Sequence, residues 1–132
     1  MHGLHLTADL RGCSPAGSPG PSALTEPAQL RELCLAAAHA ADLQPVGELF
    51  HRFAPAPGAA EPVQAGVTGV VLLAESHLAV HTWPELGAVT VDVYVCNFQG
   101  DNSHRAHLAL EHLVAAFGAS DVRRQRLERG EP

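Results

Sequence analysis

The chain has 132 residues and a formal net charge of −6, with 8 Lys plus Arg, 46% hydrophobic and 17% charged residues. This is the balance of a globular chain long enough to bury a core as one domain; it excludes a disordered chain and a broadly basic nucleic-acid binder. Three cysteines, Cys13, Cys34 and Cys96, with no CxxC spacing, exclude a disulfide framework or a cysteine zinc site.

Residues 4–10 alternate Leu4, Leu6, Ala8 and Leu10 with His5, Thr7 and Asp9, the period of a half-buried strand. The segment GCSPAGSPGPS then breaks regular structure, because Gly and Pro interrupt both ladders and helices. Thr25 is placed to cap a helix with Glu26 and Pro27 in its first turn. Leu30, Leu33, Cys34, Ala37 and Ala41 share one face of that helix, which makes Cys34 a core thiol. Residues 46–53, VGELFHRF, read as a second strand, followed by a Pro- and Ala-rich loop, APAPGAAEPVQ.

Residues 67–74 form an almost unbroken apolar run that suits a strand covered on both faces or a very short buried helix, and the valines favour the strand. Residues 77–83 continue extended, residues 84–87 form a turn, and residues 88–95 alternate with Val89, Val91, Val93 and Val95 on one face. Asn102 or Ser103 caps a second helix with Ala106, Leu110, Leu113, Val114 and Phe117 inside and Gly118 as its stop. Residues 121–127 form a last strand. Its arginines, Arg123, Arg124 and Arg126, lie among acidic residues and read as a solvated edge, as do the surface histidines His104, His107 and His112. The order strand, helix, four strands, helix, strand predicts an α+β two-layer sandwich, a mainly antiparallel sheet with helices on one face.

Chemistry concentrates in GVTGVVLLAESHLAVHTWPE, residues 66–85, and in Cys96. If residues 84–87 make a tight turn, Ser76 faces Val95 and Glu75 faces Cys96 across a hairpin, so Ser76 and Cys96 are neighbours. Ser76 and His81 fall on opposite faces of a regular strand, so a shared site needs a bulge, a bend or chain cleavage between them. A serine can attack the carbonyl before it when the peptide is strained and the oxyanion is held. The resulting ester can eliminate and hydrolyse to a pyruvoyl ketone. That ketone can form a Schiff base with an amino acid and serve as an electron sink for decarboxylation. No spacing rule demands this at Ser76, and a strand serine is ordinarily only that. The pair His77 and His81 lacks a third ligand at useful spacing, so no metal is expected.

The strings AESHLAVHTWPE and VDVYVC, with HLTADLRGC and FHRF earlier, resemble the prokaryotic S-adenosylmethionine decarboxylase proenzyme family, which typically reads ESHLxIHTWPE and then VDVFTCG. The resemblance covers most of the chain and is densest over 66–96. It implies one self-processing domain, 1–132, cut into a β chain 1–75 ending at Glu75 and an α chain 76–132 whose pyruvoyl cofactor comes from Ser76. It further implies that His81 moves the proton during processing, that Thr68 replaces a processing serine hydroxyl, and that Cys96 returns a proton after carbon dioxide leaves. Glu85 would hold the ribose hydroxyls, and Phe53 and Trp83 would stack on adenine. The implied substrate is S-adenosylmethionine, decarboxylated for spermidine biosynthesis, in a homodimer whose sites borrow residues from the partner.

Three departures stand out: a longer segment between Phe53 and Gly66, Asn97 where the family commonly has Gly, and no aromatic residue in the Glu85–Gly87 turn. Glycine allows backbone angles that asparagine tolerates less well. A pyruvoyl decarboxylase of arginine or ornithine would keep Ser76, His81 and Cys96 but has no use for Trp83 and Glu85. A non-processing regulatory paralogue would keep its chain intact. No apolar run reaches membrane-spanning length and the N-terminus lacks a signal-peptide pattern. A cytoplasmic protein with reduced thiols is therefore expected, with no membrane and no nucleic-acid partner.

Overall fold

The computed structural model describes residues 2–13, 21–54, 58 and 65–130. Six strands form one antiparallel sheet: β1 His2–Arg11, β2 Pro45–Arg52, β3 Val67–Leu73, β4 Ser76–Trp83, β5 Ala88–Cys96 and β6 Asp121–Gly130, in the order β2-β3-β4-β5-β1-β6. The helices are α1 Pro21–Thr25, α2 Pro27–Ala40 and α3 Ser103–Phe117. The α+β sandwich with a mainly antiparallel sheet is therefore the observed fold class. β1 lies between β5 and β6, antiparallel to both, so β5, α3 and β6 form a crossover around the N-terminal strand.

The alternating residues of the strands build the core. Leu4, Leu6, Ala8 and Leu10 of β1, Leu78 and Val80 of β4, and Val89, Val91, Val93 and Val95 of β5 are buried in one core with the helices. From the helices come Leu30, Cys34, Ala37, Ala106, Leu110, Leu113 and Phe117. Burial pushes the Cys34 thiol up to about 12, which makes it an inert packing group. The opposite face of the sheet carries large exposed apolar side chains, among them Leu49 at 70% and Leu72 at 50%.

This last observation corrects the expectation for the apolar run at 67–74. Only Val67, Gly69, Val71 and Leu73 are buried, on alternate positions, so β3 is covered on one face and ends at Leu73. A second correction concerns Thr25. It closes the short helix α1, which the proline-rich segment concealed, and Glu26 occupies the N-cap of α2 without a side-chain cap bond. Helix α2 ends with Asp42 in the left-handed region (φ 59°), its N–H donating to His39 O and that of Leu43 to Ala38 O. That bonding satisfies the last carbonyls as a Schellman motif does. Helix α3 stops at Gly118, also left-handed, as expected. Most of the proline-rich segment near 14–20 and most of the long segment after Phe53 lie outside the described residues. Among the described residues no helix is long and apolar enough to cross a membrane.

Candidate active site

The turn between β4 and β5 sets the site. Pro84–Leu86 make a single 3-10 turn and Gly87 adopts φ 59°, a left-handed angle that glycine takes without penalty, with its N–H donating to Pro84 O. The pairs from Trp83↔Ala88 to His77↔Tyr94 follow without a slip, and Ser76 and Val95 stand at the next step of that register. This is the register inferred from the turn. It brings the Cys96 N–H to the Ser76 Oγ, a hydrogen bond of 3.2 Å.

Ser76 opens β4 directly after a two-residue connection, Ala74-Glu75, because Leu73 pairs with Ser76. Glu75 has φ 53°. A side chain at that angle crowds its own backbone, at a cost of about 1–2 kcal/mol. The residue on the acyl side of the Glu75–Ser76 bond is thus held in a strained conformation. Glu75, Tyr94, Cys96 and Phe98 line a cleft of about 390 Å³ beside it.

A second group assembles at the far end of β4. Thr68 pairs with His81 across the β3–β4 ladder, and a hydrogen bond of 3.0 Å joins Thr68 Oγ1 to His81 Nδ1. Phe53, Thr68, His81, Trp83 and Glu85 line one cleft of about 260 Å³. Phe53 and Trp83 are 52% and 39% exposed, so neither is a core aromatic. The Phe53 N–H donates to Gly66 O at 3.0 Å, which pins together the two ends of the long intervening segment. Beyond Trp83 lies a larger cleft of about 480 Å³, bordered by Asp9, Arg11 and Arg123, that contains none of the candidate catalytic side chains.

The two groups do not meet within one chain. β4 keeps continuous pairing on both sides between Ser76 and His81, without bulge or bend. At about 3.3 Å per residue the two positions are roughly 16 Å apart, with side chains on opposite faces. Of the bulge, bend or chain cleavage that a shared site needs, this strand has neither bulge nor bend. The His77 ring stacks on Tyr94 with centroids 5.6 Å apart.

Three features of the site were not read from the sequence. Thr82 is a buried polar side chain on the inner face of β4, 4% exposed. Its Oγ1 donates to Leu24 O at 2.7 Å and accepts from Val67 N–H at 2.9 Å. It thereby ties α1 and the start of β3 to the strand that carries His81 and Trp83. Gly66 is required beside it, since a Cβ there would collide with the Thr82 carbonyl oxygen. His5 and Asp92 pair at 2.9 Å on the uncovered face. Asn97 is not in the left-handed region, so the replaced glycine is not missed for its conformational freedom. A polar residue in the inward register of an otherwise apolar alternation was the one available signal for Thr82.

With fold and geometry in place, the comparisons define a class of carboxy-lyase proenzymes. The family profile described as S-adenosylmethionine decarboxylase matches residues 4–130. The S-adenosylmethionine decarboxylase proenzyme of Aquifex aeolicus is 37% identical over 97% of this chain and 81% of its own length. That of Moorella thermoacetica is 36% identical over 97% and 87%, and that of Pyrococcus furiosus 32% over 97% and 78%. The crystal structure of the Aquifex aeolicus adenosylmethionine decarboxylase superposes with a TM-score of 0.78 at 34% identity, covering 98% of this chain and 92% of that one. The chain belongs to the S-adenosylmethionine decarboxylase family.

Thr82 gives a direct test of how the second group is held. Thr82→Val keeps the shape but leaves Val67 N–H and Leu24 C=O without their partner, so denaturant unfolding should show a loss of about 1–3 kcal/mol. Thr82→Ser should recover most of it.

Proposed function

We propose that residues 1–132 form one self-processing domain that cleaves its Glu75–Ser76 bond, converts Ser76 to a pyruvoyl group and decarboxylates S-adenosylmethionine. The observation that carries this reading is the juxtaposition at the head of β4: strained Glu75, then Ser76 with its Oγ held by the Cys96 amide. Ser76 Oγ bonds to the Glu75 carbonyl carbon as the C–N bond breaks, and the freed nitrogen takes the hydroxyl proton. A base then removes the Ser76 Cα proton while the Glu75 carboxylate leaves with Oγ. Water replaces the nitrogen, which departs as ammonia, and a ketone remains. The α chain 76–132 then begins with that ketone, and the β chain is 1–75.

Ser76 and Cys96 fit this prosthetic group because they adjoin at the open ends of paired strands, beside a cleft. The pyruvoyl ketone supplies the electron sink for decarboxylation. Around it, Cys96 holds the proton returned to substrate carbon, Glu85 accepts hydrogen bonds from the ribose, and Phe53 and Trp83 flank adenine. His81, paired with Thr68, moves the processing proton; an imidazole can both take up and give back a proton.

A homodimer completes the site in this reading. The separation of Ser76 from His81 along an unbroken strand favours supply of His81, Thr68 and the adenine-binding side chains by a second protomer. The exposed Leu49 and Leu72 on the uncovered sheet face suit such a partner. The product is an aminopropyl donor for spermidine synthesis, and a cytoplasmic setting fits the free thiols.

Release of labelled carbon dioxide from carboxyl-labelled S-adenosylmethionine tests the activity. Turnover of this substrate, none of arginine or ornithine, and a fall of about 10²-fold or more in kcat for Cys96→Ala are expected. Turnover of arginine alone would replace the substrate assignment. Co-expression of Ser76→Ala and His81→Ala chains tests the shared site. The His81→Ala chain should be cut only when the Ser76→Ala chain lends it His81. A His81→Ala chain that stays uncut even beside the Ser76→Ala chain would place processing within one protomer, and its cutting when expressed alone would remove His81 from processing.

A further inference from the structure

Asn97 follows Cys96 at the end of β5, and its side chain makes bonds that no glycine can. Its Oδ1 accepts from Asn102 N–H at 2.8 Å, and its Nδ2 donates to Ser103 Oγ at 3.1 Å. Its own N–H donates to His2 O at 2.7 Å. Asn102 closes the ring, with Nδ2 donating to Cys96 O at 2.9 Å. The last residue of β5 is thereby tied to the first turn of α3 and to the start of β1.

The diversion of Asn102 is informative. An asparagine at an N-cap ordinarily accepts a hydrogen bond from the helix's own N–H groups. Asn102 holds the N-cap of α3 and makes no such bond. Asp101 Oδ1 accepts from Ser103 N–H instead, at 2.9 Å. Asn102 Oδ1, the atom that would cap, accepts from the Arg105 guanidinium at 2.7 Å, while Nδ2 is held on the Cys96 carbonyl; on the other side of the same residue the Cys96 N–H holds the Ser76 Oγ. One residue of backbone separates the asparagine amide from the hydroxyl.

We propose that Asn97 and Asn102 form a clamp that positions Cys96 and, through its amide, the Ser76 hydroxyl for attack on Glu75. Both are positioning residues; neither touches a reacting atom. The proposal rests on the self-cleavage reading above and deepens it. Ser76 begins one strand and Cys96 ends the neighbouring one, and strand ends are where ladders open first. A displacement of about 1 Å between nucleophile and carbonyl can lower a rate about 10²-fold. A side-chain clamp at this end removes that freedom.

The test follows the cleavage of freshly translated chains by intact mass, with and without hydroxylamine, which cuts an accumulated ester at the 75–76 junction. Asn102→Asp keeps size and capping ability but cannot donate to the Cys96 carbonyl. It should slow cleavage at least tenfold while its melting temperature stays level or rises, which separates positioning from folding. Asn102→Ala should be equally slow, and Asn97→Gly slowed less, because the Asn102 bond to Cys96 remains. Hydroxylamine should not restore the rate, since the lost step is formation of the ester. Variants that cleave as fast as the wild-type chain would overturn the clamp alone. Rescue of the variants by hydroxylamine would overturn its assignment to the attack step. A wild-type chain that stays intact would overturn self-cleavage and the clamp together.

Discussion

The Pro84–Gly87 turn decides which residue of β4 lies opposite which residue of β5, and the approach of Ser76 to the Cys96 amide depends on that register. Because side chains alternate along a strand, a slip of one residue would move the valines of β5 from core to solvent. It would also separate Ser76 from the Cys96 amide. The left-handed glycine at 87 is what lets the chain reverse tightly enough. The buried alternation of Leu78, Val80 and Thr82 against Val89, Val91 and Val93 then locks the pairing by burial. Core packing and the geometry of the nucleophile are therefore set by the same interaction.

Within that frame β4 acts as a rigid spacer between two chemically different ends. One end has a strained peptide, a hydroxyl held by an amide, and a thiol. The other has a histidine bonded to a threonine, two exposed aromatic rings and a carboxylate. A straight strand keeps these apart, and the proposed assembly from two protomers rests on that separation. Activation would then depend on association, since a lone protomer holds only half of each site. The left-handed angle at Glu75 lies beside the peptide bond proposed to be cut, and packing of the surrounding hairpin maintains it.

Much of this was legible in the sequence. Alternation announced β1 and β5, helical spacing announced the buried faces of α2 and α3, and a turn between residues 84 and 87 fixed the hairpin register. The resemblance singled out Phe53, Thr68, His81, Trp83 and Glu85 of one cleft and Glu75 and Cys96 of the other, but not Gly66, Thr82, Tyr94 or Phe98. What escaped has physical reasons. Helix α1 lies at the end of a proline- and glycine-rich stretch whose composition argues against it. The apolar run of β3 looked covered on both faces, although the protomer itself covers only one. Thr82 and the asparagines at 97 and 102 act through bonds to backbone atoms distant in sequence, and residue type alone does not disclose such partners. Asn97 had looked like a costly replacement for glycine; its ordinary backbone angle and its side-chain bonds give it a different meaning.

Intact mass spectrometry of freshly purified protein beside a Ser76→Ala variant tests self-cleavage most directly. Wild-type protein should give two fragments, 1–75 and a 76–132 chain blocked by a pyruvoyl group, and the variant a single uncut chain. An uncut chain in both samples would contradict self-cleavage at Ser76 and leave a family member that binds without processing itself.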